Sequence, residues 1–171
     1  MTNLVSRNIV RFFFLILFQV LILNHINLGG YTNPYIYVYF ILLLPFATPR
    51  WLLLILAFIM GLSIDLFSNT PGLNAAATVL MAFFRPFVIR AVSNIPEEEL
   101  GIQPSMRILG FKWFLSYATI LVLIHNFALF YLEIFRFAEF FQTLLRVILS
   151  AVFTLGLILL SELMFYGRSK K

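Results

Sequence analysis

Residues 51–67 read WLLLILAFIMGLSIDLF, a run whose only charged side chain is Asp65. A helix crossing the hydrocarbon core of a bilayer needs about 20 apolar residues, and in lipid a helix satisfies every backbone polar group internally. The run therefore predicts a transmembrane helix, and the chain around it has the same character. Of its 171 residues 62% are hydrophobic and 11% charged, with a mean hydropathy of +0.99. That composition holds roughly five or six spans with short loops and no soluble domain. A lipid-embedded β-barrel would show alternating segments of about ten residues instead of unbroken runs. The expected class is an all-α integral membrane protein forming one polytopic domain over residues 1–171.

Working outward, the apolar runs predict six spans near 8–26, 35–48, 51–68, 73–92, 108–132 and 140–166. The first follows Arg7 and Arg11 like a signal peptide, but Leu23-Asn24-His25-Ile26-Asn27 lacks the small residues of a cleavage site, so it reads as a retained span. The second is short, begins after Pro34 and ends at Pro45 and Pro49, so it is expected to cross with local thinning or to be partly buried. Ser68-Asn69-Thr70-Pro71-Gly72 is a turn. Pro86 should kink or end the fourth span. In the polar stretch 93–107, Pro96 followed by Glu97, Glu98 and Glu99 resembles the first turn of a surface helix.

Alternating sides along six spans puts Arg7, Arg11, Arg50, Arg85, Arg90, Arg107, Lys112, Arg168, Lys170 and Lys171 on one side and only Arg136 and Arg146 on the other. By the positive-inside rule both termini and the 93–107 loop face the cytoplasm. Trp51 and Trp113 then fall at inner-leaflet ends, where indole rings anchor well. The chain's basicity reports topology and not nucleic-acid binding, because the cations are scattered over segment ends.

Chemistry must come from polar residues inside the runs. Asp65 lies about 20 Å along its helix, at a depth where a carboxylate costs a few kcal/mol unless paired or wetted. His125 and Asn126 in the fifth span and Arg146 in the sixth reach a similar depth, with Asn69 in the adjoining turn. These five residues are the candidate polar pocket or interface on the outer side. The same group reads equally as an Asp65–Arg146 ion pair that fixes helix register. Arg85, Arg90 and Glu162 form a second candidate group in the inner leaflet, with snorkelling to the interface as the plainer reading for the arginines. Arg11 and Gln19 carry the same ambiguity. Gly61, Ser63 and Ala75-Ala76-Ala77 read as small residues for close helix packing.

Enzyme chemistry finds no foothold. There is no cysteine, and two histidines are too few for most transition-metal sites without carboxylates close by. An intramembrane aspartyl enzyme needs two carboxylates that share a site, and no G-x-S-x-G, H-E-x-x-H or phosphate loop occurs. Glu97, Glu98 and Glu99 point in different directions around one helical turn and read as solvated charge. No catalytic residue, cofactor or metal is expected.

The stretch from Gly61 through Asp65 to Pro71-Gly72-Leu73-Asn74-Ala75-Ala76-Ala77, followed by Arg85-Pro86, resembles the signature region of the rod shape-determining MreD family. The turn Asn27-Leu28-Gly29-Gly30-Tyr31 with Asn33-Pro34-Tyr35-Ile36-Tyr37 is similar to the Bacteroidetes branch of that family. The resemblance implies a six-helix fold like the S-components of energy-coupling-factor transporters. It also implies a non-enzymatic scaffold of the bacterial inner membrane that binds MreC and, through it, the MreB cytoskeleton and the elongation polymerase and transpeptidase of lateral peptidoglycan synthesis. Gly61, Asp65, Pro71, Gly72 and Leu73 are the positions that match the family motif. A homo-oligomer is compatible with this picture. The alternative is an S-component-like transporter subunit that binds a small molecule or lipid through the outward pocket.

Overall fold

The computed structural model describes residues 2–25, 33–92, 102–134 and 140–166. Among them every regular element is helical: α1 (Thr2–Leu21), α2 (Tyr39–Leu42), α3 (Arg50–Ser68), α4 (Leu73–Val92), α5 (Met106–Leu109), α6 (Phe111–Ile134) and α7 (Phe140–Tyr166). Short 3-10 turns at Leu23–His25 and Ile36–Val38 follow α1 and precede α2. Among the described residues, five helical stretches are long and apolar enough to cross a membrane: Val5–His25, Arg50–Ser68, Leu73–Val92, Phe111–Glu133 and Phe140–Met164. The chain is thus a multi-pass helical membrane protein. The acidic stretch Glu97-Glu98-Glu99 and Arg136 lie outside the described residues.

The segment expected to be the second span has a different form. Residues 36–44 are nine consecutive buried positions, none more than 4% exposed. A segment buried on all sides stands inside a bundle, not at its lipid surface. It is a 3-10 turn, one short helical stretch and an irregular turn, because Pro34, Pro45 and Pro49 bracket a run too short for a regular span. The segment also reverses direction through the bundle. Gln19 and Asn24, at the finishing end of α1, bond to Pro34 and to Ser68 at the finishing end of α3. At the other extremity Phe46 N–H bonds to Ile102, just before α3 begins at Arg50. Residues 33–49 therefore return the chain from the Ser68 end to the Arg50 end, enclosed by α1, α3, α4, α6 and α7.

Large apolar side chains on the outer faces are correspondingly exposed, among them Phe13, Phe14 and Leu17 on α1, Phe58 on α3, Phe83 and Phe87 on α4 and Val152 on α7. In a bilayer these faces meet lipid. Around the core, α3 packs on α4, α4 on α6, and α6 on α7. The α3 and α4 backbones approach closely at Gly61: a Cβ there would lie 2.5 Å from Ala75 Cα and 2.6 Å from the Asn74 carbonyl oxygen. Only a residue without a side chain lets the two backbones meet. Gly61→Ala is expected to cost about 1–3 kcal/mol by overpacking, read as an earlier melt of the detergent-purified protein. A melt unchanged from wild type would show that the two helices can part freely.

The helix over 73–92 contains Pro86 and runs on to Val92, the bounds expected for the fourth span. The fifth span is divided at Gly110, whose φ of +85° suits glycine, so a single-turn α5 precedes the long α6.

Candidate functional site

Two polar layers lie inside the bundle, one toward each end. The layer at the Ser68 end is built on Asp65, which is 4% exposed. Its Oδ1 accepts from Thr70 Oγ1 at 2.8 Å and from both the backbone N and Nδ2 of Asn74 at 3.0 Å; Oδ2 accepts from Ala75 N at 2.9 Å. Asn74 and Ala75 are the second and third residues of α4, whose N–H groups have no partner within their own helix. An N-cap side chain normally meets that need, but the residue before α4 is Gly72, which has none. Asp65 therefore caps α4 from the neighbouring helix, and its charge opposes the positive end of the α4 dipole. Gly61, one turn earlier on α3, makes the approach close enough for this to occur. Asn69 reverses the chain with a left-handed φ of 53° and Gly72 follows with φ of +83°, so Asn69 serves the turn by its backbone while its side chain stays exposed.

From Asp65 the hydrogen bonds continue inward. Tyr37 Oη donates to Asn74 Oδ1 at 3.0 Å and lies 2.8 Å from His125 Nε2; His125 Nδ1 lies 3.1 Å from Asn126 Oδ1. A neutral imidazole carries one N–H, so His125 donates either to Tyr37 Oη or to Asn126 Oδ1. Asp65, His125 and Asn126 thus join one chain through Tyr37 and Asn74, neither of which the depth argument singled out. Asn74 was legible as the second residue of the helix that follows Pro71-Gly72. Tyr37 was hidden in a run that reads as apolar.

Arg146 is not part of this chain, which corrects the expected pairing with Asp65. Its guanidinium carbon lies 5.1 Å from the centre of the Phe130 ring, a cation–π contact, and Asp65 is occupied by α4. The physical reason is direction: α7 packs on α6, not on α3, and depth along a helix does not specify the face. Exchanging the charges, Asp65→Arg with Arg146→Asp, is accordingly expected to leave the double variant no more stable than Asp65→Arg alone. Partial recovery of the melt would restore the ion-pair reading.

At the Arg50 end, Arg85 is 1% exposed and does not snorkel. Its Nε donates to Tyr117 Oη at 2.8 Å and its Nη2 to the Leu44 carbonyl, while Tyr117 Oη donates to the Leu42 carbonyl at 3.0 Å. These are the carbonyls released where α2 stops. Non-helical backbone at membrane depth is tolerated only where protein groups satisfy it, and Arg85 with Tyr117 does so here. The start of the same segment is held likewise: Asn33 N donates to Ser150 Oγ at 3.2 Å, Tyr35 N to Thr154 Oγ1 at 3.0 Å, and Gln19 Nε2 to the Pro34 carbonyl at 3.0 Å. Glu162 does not meet Arg85 or Arg90. It accepts from Tyr39 Oη at 2.6 Å and from Met106 N at 3.1 Å, fixing the first turn of α5. Arg90 is exposed near the end of α4.

Beside the Asp65 layer, at the Ser68 end, a cavity of about 410 Å³ is lined by polar groups of Gln19, Asn24, Thr70 and Asn74, with Tyr35, Leu73 and Leu129 as apolar walls and Glu133 among its lining. Among the described residues no three His, Asp or Glu side chains converge as a metal site would require. No protein-family model, curated protein or solved structure matches this chain.

Proposed function

We propose that this protein is a non-enzymatic scaffold of the bacterial inner membrane, of the MreD kind, which binds MreC and through it couples MreB to the elongation polymerase and transpeptidase. In this reading the return segment 33–49 is a sixth crossing, as in the S-component fold, and both termini face the cytoplasm. The observation that carries the proposal is the use made of the motif residues. Gly61 lets α3 and α4 touch, Asp65 gives both of its oxygens to the start of α4, and Pro71-Gly72 form the turn between them. A carboxylate committed in this way builds a fixed hairpin at the bundle end, as a docking platform requires, and has no acceptor directed at a reacting group.

The test is mild-detergent purification of the tagged protein from its native host, with mass spectrometry of the proteins recovered. MreC and wall-synthesis enzymes are expected. Recovery of an ATPase pair in their place would overturn the scaffold and favour a transport subunit, the reading that the cavity at the Ser68 end supports. Asp65→Ala should reduce MreC recovery and disturb rod shape more than Glu98→Ala; equal, mild effects would remove the hairpin from the partner interface.

A further inference from the structure

The two ends of the bundle fasten α1 to α7 in different ways. Among the described residues α1 packs on α3 and the return segment, and α7 on α5, α6 and the return segment, so these two helices share no extended contact. At the Ser68 end the start of the return segment bridges them. The Pro34 carbonyl accepts from Gln19 of α1, a residue 1% exposed, and the neighbouring Asn33 and Tyr35 donate to Ser150 and Thr154 of α7.

At the Arg50 end the bridge is residues 102–106, a strap without regular structure as far as Ser105 that leads into α5. The Ile102 carbonyl accepts from Phe46 N at 3.2 Å, Pro104 is buried, and Met106 N donates to the buried Glu162 of α7 at 3.1 Å. Toward α1 the strap offers one side chain. Gln103 Oε1 accepts from Arg7 Nη2 at 2.8 Å and Gln103 Nε2 donates to Asn8 Oδ1 at 3.1 Å, so the two ends of a single amide clasp consecutive residues of α1.

These links differ in strength. The bond to Glu162 is charge-assisted and shielded from water, whereas Arg7 is exposed and its bond to Gln103 competes with solvent. One turn further along α1 the Phe12 ring meets Phe40 of the return segment edge-on, with centroids 5.3 Å apart. Phe13 and Phe14, beside Phe12, are exposed on the outer face of the helix. The weak clasp therefore lies at one end of α1, the buried Gln19 anchor at the other, and an aromatic contact between them.

We propose that Gln103 is a latch. The helix α1 is hinged where Gln19 holds the Pro34 carbonyl, and release of Arg7 and Asn8 from Gln103 lets the Thr2 end of α1 swing away from the strap, which stays with α7. The bundle then opens sideways toward lipid at Phe40. The latch lies at the opposite end from the Asp65 hairpin and does not depend on the MreC reading.

The test uses the full chain, which has no cysteine of its own, in lipid nanodiscs. Spin labels at Ser6→Cys and Lys112→Cys, both exposed, report the Arg50 end; a second pair at Ile22→Cys and Leu66→Cys, also exposed, reports the Ser68 end. Pulsed dipolar spectroscopy is expected to show a longer-distance population for the first pair that grows roughly tenfold on Gln103→Ala, the scale of two weak hydrogen bonds, with the second pair unchanged. The rate of N-ethylmaleimide labelling at Phe40→Cys should rise by a similar factor, with no rise at Ala118→Cys, a buried control on α6. Unchanged distances for both label pairs would make Gln103 a static tie. Broadening of both pairs, or equal gains in labelling at positions 40 and 118, would mean general loosening of the bundle. Any of these results overturns the latch.

Discussion

Arg85→Met is expected to be the most damaging single substitution in the bundle. Methionine nearly matches the aliphatic stem but leaves the Leu44 carbonyl and the Tyr117 hydroxyl without their guanidinium partner in a place water does not reach. Each hydrogen bond to a charged group is worth about 1.5–3 kcal/mol, and an acceptor left buried and unmade costs its full desolvation, so a loss of about 3–5 kcal/mol follows. Arg85→Lys should fall between the two. A lysine is a single point of charge and cannot reach the carbonyl and the hydroxyl together as the planar fork does. The measurement is the melting profile in mild detergent, scored by retention of the monodisperse peak. An Arg85→Met protein as stable as wild type would mean that the carbonyls of α2 find other donors and that the buried cation has another purpose.

Asp65 gives the second large effect. Asp65→Ala removes the acceptor for Thr70, for the Asn74 side chain and for two N–H groups at the start of α4, with an expected loss of about 2–4 kcal/mol. Asp65→Asn is the sharper probe. It conserves shape, yet whichever end of its amide carries the NH2 faces a backbone N–H that can only donate, Asn74 N at the Oδ1 position or Ala75 N at the Oδ2 position. It should therefore be nearly as destabilising as alanine. A pocket role would give the opposite order, with Asn tolerated by the fold and deficient only in binding. Hydrogen exchange at Asn74 and Ala75 separates the two, since a lost cap exposes those amides first.

The long spans were legible because hydrophobic length alone decides them, and the turn at 68–72 because Asn69, Pro71 and Gly72 each need a particular backbone. Residues 35–48 were harder. Their hydropathy announces burial but does not say whether lipid or protein surrounds them, and the three flanking prolines show only that a regular helix will not fit. The polar residues scattered through the other spans held the missing information: Gln19, Arg85, Tyr117, Ser150 and Thr154 all serve the backbone of that one irregular segment. Sequence reasoning placed Arg85 at the right depth, in an inner-leaflet group with Arg90 and Glu162, and left burial or snorkelling open, because partners that are backbone carbonyls leave no trace in composition. Depth also grouped Asp65 with Arg146, which the azimuth of α7 separates. Asn126 and His125 lie in the Asp65 network only by way of Tyr37, a contact between segments far apart in the chain.

The enclosed segment also dictates an order of biogenesis. Arg85, Tyr117, Ser150 and Thr154, which satisfy its backbone, all lie downstream of it in the chain. While the ribosome is still making them, residues 33–49 have been synthesised but own open carbonyls and amides that hydrocarbon will not accept. The segment must wait at the interface or beside the translocation machinery, and it enters the bundle only after α7 has emerged. A nascent chain arrested before Ser150 would hold an uninsertable stretch in its middle, a ready mark for membrane quality-control proteases.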